Sequence, residues 1–277
     1  MRADLHVHSN ASDGTDPPAE VMSRAARAGL DVVALTDHDT VAGHAEAAVA
    51  LPPGLTLLPG MELSCRRDGH SVHMLAYLFD PDNQELAAQC QAIRQSRDER
   101  ARAIVRRLAE LGAGVTWEQV AAIAGGGVVG RPHIARAMVA AGVITDPQDA
   151  FGPEWIGPGG RAHVSRYALD PVQAITLIRA AGGVSVLAHP LGSIRGWMIP
   201  DEVIAGFAAA GLTGIEVRHP DQDHSKREHL TALAATLGLV ASGGSDDHGS
   251  LTGYRWGVPR KQALLEKERA VRGKAAA

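Results

Sequence analysis

Five times along this chain a short apolar run ends directly on an acidic or imidazole side chain, and no other feature restricts its fold as much. The first run carries Asp4-Leu5-His6-Val7-His8, the second ends at Thr36-Asp37-His38-Asp39 and the third at Gly60-Met61-Glu62. The fifth ends at Ala188-His189-Pro190 and the seventh at Gly244-Ser245-Asp246-Asp247-His248. The runs predict strands over residues 3–8, 32–36, 55–61, 72–78, 184–188, 214–217 and 239–242. Helices are predicted over residues 18–28, 84–111, 171–181, 201–210 and 225–237. The first opens on Pro18, whose fixed φ suits a first helical turn, and closes at Gly29. Strands and helices in alternation mark an α/β protein built from βα units. In a barrel of parallel strands all C-terminal strand ends lie on one rim, so five such ends bring their acids and imidazoles together. Pro190, which cannot donate to a ladder, marks a strand end beside His189.

Within the first run, a period of two puts Asp4, His6 and His8 on one strand face and Leu5 and Val7 on the other. Two imidazoles so placed can grip one cation from the same side. Alone the pair is weak, since a chain with 13 histidines in 277 residues carries about 0.6 such pairs by chance. Joined to the other strand ends, it becomes a nitrogen/oxygen donor set without cysteine, which suits Mn²⁺, Fe²⁺ or Zn²⁺. The candidate ligands outnumber the positions around one ion, so two or three ions are implied. Such clusters generate hydroxide near neutral pH and neutralise phosphoryl charge during in-line displacement. Phosphate-ester hydrolysis is the chemistry most at home here.

Composition narrows the partners. The 277 residues, 45% of them hydrophobic, suffice for a large core. A net charge of −4 argues against a duplex-DNA surface, which needs a basic excess, and leaves a small phosphorylated substrate or a single RNA end. No apolar run reaches the roughly 18 residues of a membrane span, and acid as early as Asp4 argues against a secretory signal. Cys65 and Cys90 make no disulfide framework and fit a reducing, cytoplasmic setting.

The alternation breaks between residues 97 and 163, where helices and Gly-rich turns such as Gly125-Gly126-Gly127 run without a convincing strand. The expected organisation is a discontinuous barrel, 1–96 and 164–260, with a mostly helical insertion at 97–163. The tail, 261–277, reads as a frayed surface helix or as disordered.

Asp4-Leu5-His6-Val7-His8-Ser9, Ser12-Asp13-Gly14, Thr36-Asp37-His38-Asp39, Gly60-Met61-Glu62, Ala188-His189-Pro190 and Gly244-Ser245-Asp246-Asp247-His248-Gly249 resemble, in order, the motifs of the PHP (polymerase and histidinol phosphatase) family. The resemblance implies a distorted (β/α)₇ barrel with a trinuclear metal centre, Mn²⁺ first and Fe²⁺ or Zn²⁺ as alternatives. By position it implies one ion held by His6, His8, Glu62 and Asp246, with Glu62 bridging. It implies a second at Asp13, His38 and His248, and a third at Glu62, His73 and His189. The attacking group would be a metal-bound hydroxide, with no protein nucleophile. Between Asp246 and His248 the family usually has an apolar or aromatic residue; here stands Asp247, and the spacing to His248 favours Asp246 as the ligand.

Gly130-Arg131-Pro132-His133-Ile134-Ala135 is similar to part of the inserted subdomain in the tryptophan-operon-linked branch of that family. That likeness implies a phosphatase of nucleoside 3′,5′-bisphosphates or AMP, or a 5′-to-3′ exoribonuclease on short RNA. Arg131 and His133 would then bind substrate phosphate, Arg131 through its planar fork, and the insertion would be a specificity lid. Without the likeness, an exposed arginine and a helix-start histidine explain the pair more simply. Two other readings are a histidinol-phosphate phosphatase and a non-catalytic, metal-stabilised PHP module; every ligand position being filled speaks against the second.

Other residues carry less. His70 and His73 compete on pattern, and the resemblance selects His73. His219, His224 and His229 read as a solvated stretch, although His219-Pro220 follows a strand end, and His44 and His163 have no supporting pattern. Glu216 points inward if Ile215 and Val217 pack outward, either orienting a ligand or forming a barrel-interior ion pair. Cys65 reads as a small buried hydrophobe. Six arginines between Arg94 and Arg107, interleaved with Asp98 and Glu99, read as a solvated helix with intrahelical pairs.

Overall fold

The computed structural model describes residues 1–125, 129–192 and 197–256; Gly126, Gly127 and the tail at 261–277 lie outside them. The described residues divide into two compact units, Met1–Ala88 with those from Ala168 onward, and those within Gln89–Tyr167.

Seven strands, β1 (Ala3–Val7), β2 (Val32–Leu35), β3 (Thr56–Arg67), β4 (His70–Tyr77), β5 (Val184–Leu187), β6 (Gly214–Arg218) and β7 (Val240–Gly243), form one sheet in chain order. The described helices are α1 (Pro18–Arg27), α2 (His44–Val49), α3 (Gln84–Glu110), α4 (Trp117–Ala124), α5 (Arg131–Ala140), α6 (Pro171–Ala180), α7 (Asp201–Ala209) and α8 (His224–Leu237). The sheet curls until its ends meet. Val7 bridges Asp247, the His8 N–H donates to the Asp247 carbonyl at 2.9 Å, and the Asp246 N–H donates to the His6 carbonyl at 2.9 Å. The result is a nearly closed seven-stranded α/β barrel.

It is not all parallel. β4 runs antiparallel to both β3 and β5, while every other neighbouring pair is parallel. The cause is local. Asp68 and Gly69, at φ 49° and 83°, make a two-residue turn in which both residues are left-handed, the hairpin geometry that an Asp-Gly pair favours. The third strand therefore does not end at Met61 but continues to Arg67 and returns as β4. An antiparallel strand presents its beginning where its neighbours present their ends, which is why His73 lies near the start of its apolar run and still belongs to the rim.

Ala3, Leu5, Val32, Ala34, Leu58, Leu75, Tyr77, Val186 and Ala188, drawn from five strands, fill the barrel. Val7, Val33 and Leu35 pack outward on Val21, Met22 and Ala25 of α1, which recur at helical spacing. Leu5 and Val7 thus do not share a face, contrary to simple alternation. Ala3 pairs with Val32 and Asp4 with Val33, but Val7 pairs with Leu35, leaving one extra residue on β1. Such a bulge re-aims side chains, and it does so here beside the histidines.

The second unit has its own core, including Ile104, Leu108, Val120, Ile134, Met138 and Ile156, and no strand among its described residues. Among the described residues no helix is long and apolar enough to cross a membrane.

Candidate metal centre

Glu62, in mid-β3 and fully buried, is the hub. Its Oε2 lies 3.3 Å from His6 Nε2, 3.2 Å from His8 Nε2 and 3.1 Å from His38 Nδ1. Its Oε1 lies 2.6 Å from His73 Nδ1 and 3.1 Å from His189 Nε2. Asp246 Oδ1 is 3.2 Å from the Nε2 atoms of both His6 and His8. Asp13 Oδ1 is 3.3 Å from His248 Nε2, and its Oδ2 is 3.7 Å from His38 Nε2. Three overlapping groups result: His8, Asp13, His38 and His248; His6, His8, Glu62 and Asp246; and His38, Glu62 and His73, each with donor atoms within 4.8 Å of one another. His189 stands outside the third group and approaches Glu62 Oε1 directly.

The remaining acids hold the loops that carry these side chains. Asp37 accepts from the Ser9 N–H at 2.8 Å and from the Ser9 and Ser12 hydroxyls at 2.6 Å each, folding the loop that presents Asp13. Asp39 accepts from the Ser64 N–H and hydroxyl at 2.7 and 2.8 Å, two residues beyond Glu62. Asp4 accepts from the Ser245 N–H at 2.9 Å. Asp247 accepts from the Thr252 hydroxyl at 2.8 Å and the Arg255 N–H at 2.7 Å. Asp246, not Asp247, turns its carboxylate toward the histidines.

Charge in the cluster is arranged for cations. Burial alone would lower His6, but the Glu62, Asp246 and Glu216 carboxylates outweigh it and hold the imidazole well above its usual range. His8 is pushed up to about 10, burial being overcome by Asp246 and Glu62. Burial and the neighbouring His8 both oppose protonation of His248, yet Asp13 and Asp246 raise it. Burial would raise Asp13, Glu62 and Asp246; the surrounding histidines instead hold all three well below the ordinary carboxylate range. Protons are serving as the counter-charge of buried anions.

The donor set fits divalent ions better than it fits itself. Glu62 Oε2 and His8 Nδ1 are buried atoms with no hydrogen-bond partner among the described residues, a costly state for a well-packed interior unless a ligand completes it. His6 Nε2 and His8 Nε2 point at each other across 3.1 Å, a spacing that two lone pairs tolerate when a cation lies between them. Imidazoles and carboxylates without thiolates match Mn²⁺, Fe²⁺ or Zn²⁺.

The PHP domain family matches residues 4–125. A 5′-3′ exoribonuclease from Haemophilus influenzae is 35% identical over 246 residues, 88% of this chain and 89% of that protein. The chain belongs to the PHP family. A 3′,5′-nucleoside bisphosphate phosphatase from Chromobacterium violaceum is 35% identical over 261 residues, 91% of this chain and 89% of the relative. A solved structure from Bifidobacterium adolescentis, assigned as a metal-dependent phosphoesterase, shares a TM-score of 0.87 at 34% identity, over 97% of this chain and 96% of its own. As a PHP protein the chain is an enzyme that hydrolyses phosphate esters, with metal-dependent relatives and clustered His, Asp and Glu side chains suited to metal.

In this PHP barrel two further residues join the cluster: His219, which reads from sequence as solvated, and Glu216, for which an inward position is expected. His219 is buried, not solvated; its Nε2 lies 3.3 Å from Asp246 Oδ2 and its Nδ1 accepts from the Asp221 N–H at 3.1 Å. Glu216 is fully buried, with Oε1 3.2 Å from His6 Nδ1. The strand-ending His219-Pro220 was the available signal. His224 and His229 do lie at the surface, beside Glu228 and Asp201. His70, exposed at the hairpin turn, stacks on Trp197 at 4.5 Å, while its competitor His73 contacts Glu62.

Arg131 and His133 belong to the second unit. Arg131 opens α5, its guanidinium carbon 5.6 Å from the centre of the Phe151 ring. His133 is buried, and its Nδ1 accepts from the Gly130 N–H at 2.9 Å, which places the proton of the neutral ring on Nε2.

Proposed function

We propose that this phosphoesterase acts on nucleotides, a nucleoside 3′,5′-bisphosphate or AMP, or on the 5′ end of short RNA, at a centre of three divalent ions. The observation that carries the reading is Glu62, one buried carboxylate with five imidazole nitrogens between 2.6 and 3.3 Å away. His6, His8 and Asp246 would hold one ion with Glu62; Asp13, His38 and His248 would hold a second; His73 and His189 would hold a third with Glu62. Divalent ions bound there supply Lewis acidity that polarises a phosphoryl group and makes water a nucleophile near neutral pH. The protein's own part would be to keep imidazole and carboxylate lone pairs aimed inward. Arg131 would offer its fork to a substrate phosphate and His133 would donate from Nε2. The nucleotide and RNA substrates are supported by the activities of the two relatives. A cytoplasmic setting suits a chain with only two cysteines, Cys65 and Cys90, both of them buried.

The test starts from chelator-stripped protein reloaded with Mn²⁺, Fe²⁺ or Zn²⁺, its metal content measured. Adenosine 3′,5′-bisphosphate, AMP, a 5′-phosphorylated oligoribonucleotide and histidinol phosphate are then compared by kcat/KM. A nucleotide or the RNA is expected to lead, with Mn²⁺ the best activator, and His8→Ala or Asp13→Ala to lower turnover by orders of magnitude without unfolding the chain. Preference for histidinol phosphate would transfer the site to an amino-alcohol substrate. Metal-loaded protein inert toward all four would end the proposal.

A further inference from the structure

β6 is the one strand that gives the cluster no expected ligand, yet its Glu216 is fully buried against it. The two carboxylate oxygens divide the work unequally, Oε2 lying 3.4 Å from His6 Nδ1 as well as serving His189. Oε1 lies 3.2 Å from His6 Nδ1, and Oε2 accepts the backbone N–H of His189 at 2.8 Å. His189 needs that hold, because its φ of +29° is a conformation that a residue with a side chain adopts only under constraint from its surroundings. Gln222, also fully buried, extends the clasp. Its Nε2 donates to the Glu216 and Val217 carbonyls at 3.1 and 3.0 Å, and its Oε1 accepts from the Leu191 N–H at 3.0 Å. The pairing of β6 with β7 slips by one residue between Glu216 and Arg218, just as β1 slips between Asp4 and Val7. Both irregularities bring their strands' polar side chains to the same place.

We propose that Glu216 is a positioning residue for two ligands at once, His6 through its ring and His189 through its backbone. The inference rests on the metal-centre reading above. Accepting from Nδ1 keeps the His6 proton there and leaves the Nε2 lone pair facing Glu62, Asp246 and His8, as carboxylate partners of metal-bound histidines do. A carboxylate can serve two N–H donors; an amide has a single acceptor oxygen. In Glu216→Gln the fixed backbone N–H of His189 claims that oxygen, so the amide NH₂ meets His6 Nδ1. The imidazole proton is then driven to Nε2, where it blocks the metal.

Glu216→Gln is therefore expected to bind Mn²⁺ about 10–100-fold more weakly by chelator competition, the usual scale for such partners. Its chelator-stripped form should keep a wild-type circular dichroism spectrum. A residue that is merely structural would instead lower the melting temperature of the stripped protein and leave Mn²⁺ affinity alone, which would overturn the proposal. A variant-free measurement guards against misfolding. In ¹⁵N-labelled, zinc-loaded wild-type protein, His6 should show an exchange-protected Nδ1–H signal, and its absence would equally overturn the proposal. Wild-type protein that takes up no metal would instead refute the centre itself, and the two failures are distinguishable.

Discussion

Asp246 and Asp247 are neighbours with the same side chain and opposite employment. Asp246 faces two imidazoles at 3.2 Å, while Asp247 ties down the loop that follows through Thr252 and Arg255. Asp246→Asn is expected to abolish metal uptake and lower turnover by orders of magnitude. Asp247→Asn should retain metal and lose roughly 1–3 kcal/mol of stability, the scale of a buried acceptor losing its partners. Metal analysis and thermal melts on both variants separate the roles. The sequence placed both carboxylates at a strand end and favoured Asp246 only by its spacing to His248; the task of Asp247 was not legible, because its donors, Thr252 and the Arg255 N–H, are brought in by the fold. His219 was misjudged for the same reason: its polar neighbours in sequence suggested water, and β6 turned it inward.

At the scale of elements, strand positions were legible because each apolar run is short and punctuated, but strand direction was not. Asp68-Gly69 carried a hairpin signal between two runs read as separate strands, and missing it hid the antiparallel β4 and the reason for His73's placement. Strict alternation failed at β1 because bulges have no fixed sequence signature. Two glycines test what these elements tolerate. A Cβ at Gly69 would meet nothing within 4 Å, so Gly69→Ala faces only the strain of φ +83°, about 1 kcal/mol. A Cβ at Gly244 would fall 2.2 Å from His6 Cβ and 2.7 Å from the His6 nitrogen, pushing β1 and the end of β7 apart. Gly244→Ala is expected to lose metal as well as roughly 1–3 kcal/mol or more, whereas Gly69→Ala keeps its metal; melts and metal content check both.

For the molecule as a whole, the buried charges make stability depend on metal and pH together. In metal-free protein the His8 pKa is raised from 6.5 to about 10. The stability it contributes is fully present below pH 6.5 and lost as pH rises toward 10. Asp13, Glu62 and Asp246 are lowered, so their contribution is present above the ordinary carboxylate range and lost as pH falls below it. Chelator-stripped protein should therefore melt highest in weakly acidic solution and lower at alkaline pH. Metal-loaded protein should melt higher throughout, by linkage, and keep its melting temperature on the alkaline side, where metal replaces the protons. Equal melting curves for the two forms from pH 6.5 to 10 would contradict this. The barrel was legible at this scale because motifs dispersed from the first strand to the last had to meet somewhere.

The seam between β1 and the residues after β7 has a consequence for synthesis. His6 and Asp246 are stitched together by backbone as well as by side chain, so the earliest and latest parts of the barrel complete each other. A ribosome must extrude the polypeptide past Asp246 before the two halves of the cluster can meet, so a chain cut short of β7 has no complete cluster.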